Sequence, residues 1–113
     1  MILLPEIDSL ERTQSGLSLG FVVPAALPYF DGHFPGLPLL PGVVQIGWAV
    51  ELARLHLSFA GPARALSGVK FTRVIQPLAA VTLLLELQAQ GRELSFEYQS
   101  AGQTCSAGRV LGA

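Results

Sequence analysis

Tyr29-Phe30-Asp31-Gly32-His33-Phe34-Pro35-Gly36-Leu37-Pro38-Leu39-Leu40-Pro41-Gly42-Val43-Val44 places a histidine in a loop stiffened by three prolines. Through Pro41-Gly42 the chain then runs straight into its longest apolar segment. Proline fixes φ and removes a donor, so the five prolines between Pro24 and Pro41 predict an ordered loop without regular structure. From Val43 to Phe59 nearly every face of a helix would be apolar, which predicts a long helix buried all round by the rest of the domain. Gly61-Pro62 is the expected stop.

The segments on either side read as strands. Leu17, Leu19, Phe21 and Val23 alternate with smaller residues and predict a half-buried strand ended by Pro24. Glu6 to Thr13 is compatible with a helical turn or an edge strand. After the helix, a strand is expected over Val69–Ile75, ending at Pro77. Val81, Leu83, Leu85, Leu87 and Ala89 form one face of a longer strand, with Thr82, Glu86 and Gln88 on the other. Gln90-Gly91-Arg92 reads as a hairpin turn into Leu94, Phe96 and Tyr98, and Ala101-Gly102-Gln103 as a second turn into a last strand near Thr104–Leu111. Strands joined by tight turns are antiparallel. The expected class is therefore α+β, an antiparallel sheet wrapped around one long central helix, with residues 1–113 as a single domain.

Half of the 113 residues are hydrophobic and 13% are charged, an apolar balance for a chain of this length. No apolar run reaches the roughly 18 to 20 residues of a membrane span, because Gly47, Glu51 and Arg54 interrupt the best one. Met1-Ile2-Leu3-Leu4-Pro5-Glu6 has neither the basic region nor the cleavage site of a signal peptide. So much apolar surface predicts burial against another subunit or around a fatty ligand, with a homodimer or larger assembly as the default. The net charge of −1, without a basic stripe, gives no reason to expect nucleic acid. Cys105 is the only cysteine, which excludes an internal disulfide and a cysteine zinc site and fits a reducing cytoplasm. It reads as a small structural residue ahead of a nucleophile.

His33-Phe34-Pro35-Gly36-x-Pro38-x-x-Pro41-Gly42 closely resembles the signature of the hotdog-fold 3-hydroxyacyl-acyl-carrier-protein dehydratases of fatty-acid synthesis. Phe30 and Gly32 precede it as in that family, and the long helix follows at once. Gly68-Val69-Lys70-Phe71-Thr72-Arg73-Val74-Ile75-Gln76-Pro77 looks like the family's first strand after the helix. The resemblance runs from Pro28 to the C-terminus; the preceding residues lack the helix and long hairpin that usually open the family. Pro41-Gly42-Val43-Val44-Gln45-Ile46-x-Trp48-Ala49 is closer to a branch associated with aryl-polyene biosynthesis.

The motif also makes sense as chemistry. Removing a proton beside a thioester carbonyl needs a base with a pKa near working pH, which histidine supplies. It also needs donors aimed at the developing enolate oxygen. Free N–H groups at a helix N-terminus are such donors, and glycine permits close approach. The resemblance implies that His33 is the base and that the Gly42 N–H binds the thioester carbonyl, with Phe34, Pro41, Val43 and Gly47 against the substrate. The family's acid, a Glu or Asp that protonates the departing hydroxyl from the other subunit, falls fourteen residues after the histidine. Here that position is Gly47.

Glu51, one turn later on the same face, is the tentative replacement, and an ion pair with Arg54 is its alternative role. Asp31 is a turn residue or an orienter of His33, and Gln45 can hydrogen-bond substrate but not transfer a proton usefully. His56 is expected near the surface, and Trp48 and Tyr29 in the core or a tunnel wall.

The resemblance implies a dehydratase of 3-hydroxyacyl thioesters in fatty-acid or polyene biosynthesis. It implies no metal and no resident cofactor, the substrate arriving on the phosphopantetheine of an acyl carrier protein or on CoA. Arg54, Arg64, Lys70 and Arg73 are candidate contacts for that acidic carrier. The alternatives are a catalytically incomplete acyl-binding or partner subunit of a heteromeric hotdog dehydratase, motivated by Gly47, and a hotdog thioesterase.

Overall fold

A computed structural model describes residues 4–25, 39–59 and 62–112. Six antiparallel strands form one sheet: β1 (Ser9–Arg12), β2 (Gly16–Val22), β3 (Ala63–Phe71), β4 (Ala80–Gln88), β5 (Glu93–Ser100) and β6 (Gln103–Gly112). The single α-helix among the described residues, α1 (Gly42–His56), lies between β2 and β3 in the chain. Spatial order is β1-β2-β4-β5-β6-β3. The segment containing α1 thus carries the chain from β2 across the sheet to its far edge. This is the hotdog arrangement, a sheet curled about one helix.

Period-two alternation decides which face meets the helix. Leu17, Leu19 and Phe21 of β2, Val81, Leu83 and Leu85 of β4, and Leu94, Phe96 and Tyr98 of β5 are all buried. The register sets Leu19 opposite Leu83 and Leu85 opposite Phe96, so the buried residues stand in rows across the strands. Trp48 of α1 drops fully buried into this surface. Its ring meets Phe21 edge-on, with centroids 5.8 Å apart and planes at 79°. The turn joining β5 to β6 has Ala101 and Gly102 at positive φ (52° and 74°), the backbone that matches a tight hairpin to the strand twist. Glu6 to Thr13 resolves as an edge strand, β1, paired with β2.

Several boundaries differ from the sequence reading: β2 stops at Val22, before Val23, and β4 stops at Gln88, with Ala89 already in a 3-10 turn (Ala89–Gly91). The helix ends at His56, before Gly61-Pro62, because Ser58 takes a left-handed φ of 62° and turns the buried Phe59 back under it. β3 begins at Ala63 and ends at Phe71. Its first half has weak strand propensity and is held by pairing of Ala65, Leu66 and Ser67 with Leu111, Val110 and Arg109. At its far end Thr72 and Arg73 both donate backbone N–H to the Cys105 carbonyl (2.8 and 3.1 Å), which bends Val74 and Ile75 out of the ladder.

The helix is also not buried all round by its own chain. Gln45, Trp48, Ala49, Leu52 and Ala53 are buried at the i, i+3, i+4, i+7, i+8 spacing of one face. Val43 and Leu55 remain 76% and 65% exposed. At the sheet edge, β3 is exposed along most of its length, including Leu66 and Phe71. Among the described residues β3 pairs only with β6. No helix among the described residues is long and apolar enough to cross a membrane.

Candidate active site at the helix N-terminus

The first amides of a helix have no acceptor four residues back within it, so they are satisfied from outside. In α1 the residue before the first turn is Pro41 (φ −60°, ψ 146°), which offers no side-chain cap. Val44 and Gln45 both donate to the Pro41 carbonyl at 3.1 Å. The amides of Gly42 and Val43 have no backbone acceptor among the described residues and stand at the tip, at the positive end of the helix dipole.

Beside that tip is a cleft of about 300 Å³, walled by Leu39, Gly42, Gln45, Phe71, Arg73 and Val74 among others. Phe71, half exposed, lays its ring directly on Gly42. A Cβ at position 42 would come within 2.6 Å of the ring's Cζ. Glycine is required here for close approach, since any side chain would push the ring away or into the cleft.

The floor of the site is polar and fully paired. Gln45 is 3% exposed. Its Nε2 donates to the Leu40 carbonyl (3.0 Å), and its Oε1 accepts from Ser106 Oγ (2.6 Å). Its backbone carbonyl accepts from Tyr98 Oη (2.6 Å). Leu40 in turn donates its N–H to the Ile75 carbonyl at 2.7 Å. Burial holds the Tyr98 phenol well above the ordinary tyrosine pKa, so it stays a neutral donor. Burial also raises the Cys105 thiol, against smaller opposing pulls from the Arg73 charge and the Ser100 backbone. That is the wrong direction for a nucleophile.

His33, Phe34, Asp31 and Tyr29 lie outside the described residues. Pro41 and Gly42 stand at the helix tip, where the sequence reading put them. Val43 points outward, and Gly47 is half-buried on the same outward side. Glu51 accepts from Arg54 Nη1 at 2.7 Å, with the two side chains 40% and 35% exposed respectively. It lies about 13 Å further along the helix than Gly42 and on the opposite side. One chain therefore does not bring Glu51 to its own Gly42 amide. His56 is half-buried in the last turn, where its carbonyl accepts from Arg12 Nη1 at 3.3 Å. Sequence reasoning missed the Gln45–Ser106–Tyr98 network. The available signal was a glutamine in the first turn of an otherwise apolar helix, with a serine in a buried register of β6.

Residues 9–109 match the model of the ApeI-like family, described as ApeI dehydratase. The chain belongs to this family. Among curated relatives, it is 36% identical over 96 residues to the 3-hydroxyacyl-acyl-carrier-protein dehydratase FabZ of Pelotomaculum thermopropionicum, a match covering 77% of this chain and 66% of the relative. The FabZ match from Chloroflexus aggregans is 39% identical over 80 residues, 61% of this chain and 51% of the relative. The chain thus spans about half to two thirds of the length of the curated relatives it matches. Among solved structures, it superposes on a chain of the dehydratase heterocomplex ApeI:P from Xenorhabdus doucetiae with a TM-score of 0.86 and 30% identity, covering 95% of this chain and 96% of that one. The hotdog fold and the dehydratase resemblance carried by His33–Gly42 are both upheld in this family member.

Proposed function

We propose that this chain is a dehydratase of 3-hydroxyacyl thioesters in fatty-acid or polyene biosynthesis, working as a subunit of a hotdog oligomer. The observation that carries the reading is the tip of α1, where no side chain caps the first turn and Gly42 lines the cleft beside Phe71. The thioester carbonyl accepts from that amide, which stabilises the enolate that forms when His33 removes the α-proton. Water then leaves from C3 as its hydroxyl takes a proton, giving the 2-enoyl thioester. The proton donor is the incomplete part. Gly47 has no side chain, and Glu51 faces away from its own Gly42, which favours an acid supplied across a subunit boundary, by Glu51 or by a homologous partner.

Exposure of β3, Val43 and Leu55 supports an assembly that covers these surfaces. Likeness to a chain of a dehydratase heterocomplex, together with Gly47, favours a second reading in which a homologous partner provides the carboxylate. Arg73 lines the cleft, and Arg64 and Lys70 are exposed on β3, a basic approach for the phosphopantetheine and acidic surface of a carrier protein.

The test is turnover of 3-hydroxyacyl-pantetheine and carrier-bound substrates by the purified chain, alone and mixed with a homologue that carries the helix carboxylate. Enoyl product in either case supports the reading. No product in both, against an active dehydratase control, overturns it. Gly42→Ala is expected to lower turnover about tenfold or more by moving Phe71 and the bound carbonyl. The same change should alter stability little, because the half-exposed Phe71 ring is the group that must move and the first helical position gains little from alanine. Thermal melts and steady-state rates on the one variant separate the two effects.

A further inference from the structure

We propose that Gln45 is a positioning residue, which aims the Gly42 amide by locking the Leu40 carbonyl to the sheet. The inference rests on the reading of Gly42 as the thioester donor and extends it to a group that need not touch substrate. Leu40 is held at both of its backbone polar atoms, its N–H on the Ile75 carbonyl and its carbonyl on Gln45 Nε2. Only Pro41 separates it from Gly42. Proline restricts φ, so pinning Leu40 on one side and starting the helix on the other leaves the Pro41–Gly42 peptide one orientation.

Gln45 is itself anchored. Ser106 of β6 holds its side-chain oxygen, and Tyr98 of β5 holds its main-chain oxygen. Both partners are buried, and no buried side-chain nitrogen or oxygen among the described residues lacks a hydrogen bond. The helix tip is therefore coupled to two strands by three hydrogen bonds that pass through one residue. A packing role alone would be met by leucine or methionine. An amide is needed because the residue must donate to Leu40 and accept from Ser106 together. A polar group without these partners would be costly at this depth.

Two variants test the role: Gln45→Met combined with Ser106→Ala, which leaves no orphaned hydroxyl, and Ser106→Ala alone, which keeps the bond to Leu40. Each 15N-labelled protein is titrated with the amide analogue of a 3-hydroxyacyl-pantetheine thioester. The Gly42 amide resonance is followed, and turnover is measured on the thioester itself. In the wild type the Gly42 proton is expected to move downfield on saturation. In the double variant that shift should fall to below a quarter, and kcat at least tenfold, with affinity within threefold of wild type. Ser106→Ala alone should fall between. A double variant that keeps the Gly42 shift and kcat while only melting earlier makes Gln45 a packing residue and overturns the proposal. An affinity loss above tenfold with the full Gly42 shift at saturation makes it a direct substrate contact, which overturns it too. A wild-type Gly42 resonance that does not move sinks the donor reading itself, a different failure visible before any variant is made.

Discussion

Gly47→Glu is expected to raise dehydration of 3-hydroxyacyl thioesters by this chain about 100-fold or more, the usual contribution of a positioned general acid. The base and the carbonyl donor of the proposed site come from the His33 loop and the helix tip, and the missing component is a proton for the departing hydroxyl. Position 47 is half-buried on the side of α1 that turns away from its own sheet, with Val43 exposed beside it. A carboxylate placed there would lie off the chain's own sheet, as the acid of a site shared with a second subunit would. Replacing a helical glycine should also strengthen the helix by several tenths of a kcal/mol, so a gain in rate would not come at the expense of folding. His33→Ala in the same background should return the rate to that of a protein-free control. Steady-state formation of the enoyl thioester reads both. Equal rates for wild type, Gly47→Glu and the double variant would place the chemistry elsewhere in the molecule.

Trp48→Ala should destabilise the protein by about 3–5 kcal/mol, the range for emptying a large aromatic site in a core. Set against a typical domain stability of about 5–15 kcal/mol, that is a large share of the total. Trp48 is fully buried at the middle of the helix and packs edge-on against Phe21 of β2. Its loss opens a cavity directly under the element that carries Gly42. Urea unfolding followed by far-ultraviolet circular dichroism gives the number, and an unchanged m-value would show that the loss belongs to the native state. A loss below about 1 kcal/mol would mean that the helix is not seated on the sheet through this residue. Trp48→Phe keeps an apolar ring in the site and should lose less than half as much.

Much of the architecture is legible in the sequence. The alternation Val81-Leu83-Leu85 and Leu94-Phe96-Tyr98 named the buried faces of β4 and β5 correctly, because a pleated strand has a period of two whatever its neighbours are. The tight turns near Gly91 and Gly102 made those strands antiparallel, and Pro41-Gly42 marked the start of the helix. The early half of β3 was missed. Ala63-Arg64-Ala65-Leu66-Ser67 has little intrinsic preference for a strand and is one because β6 offers it a ladder. Composition alone predicts a helix buried on every side. The chain covers the face toward the sheet and also Val50 on the far side, and leaves Val43 and Leu55 exposed.

The site divides in the same way. That a histidine loop leads to a helix opening on Gly42 is written in residue order, and that position 47 is a glycine where the resembled family has its acid follows from counting along the same segment, because both are local quantities. Four arrangements join residues distant in sequence or depend on where the helix faces. Phe71 lies on Gly42, Gln45 is bound to Ser106 and Tyr98, β3 sits at the sheet's edge beside β6, and Glu51 turns away from its own cleft. Periodicity tells a residue which side of its own element it occupies. Which elements then meet across that side follows only when the whole sheet closes on the helix, since that packing is chosen by the total apolar surface buried and not by any one segment.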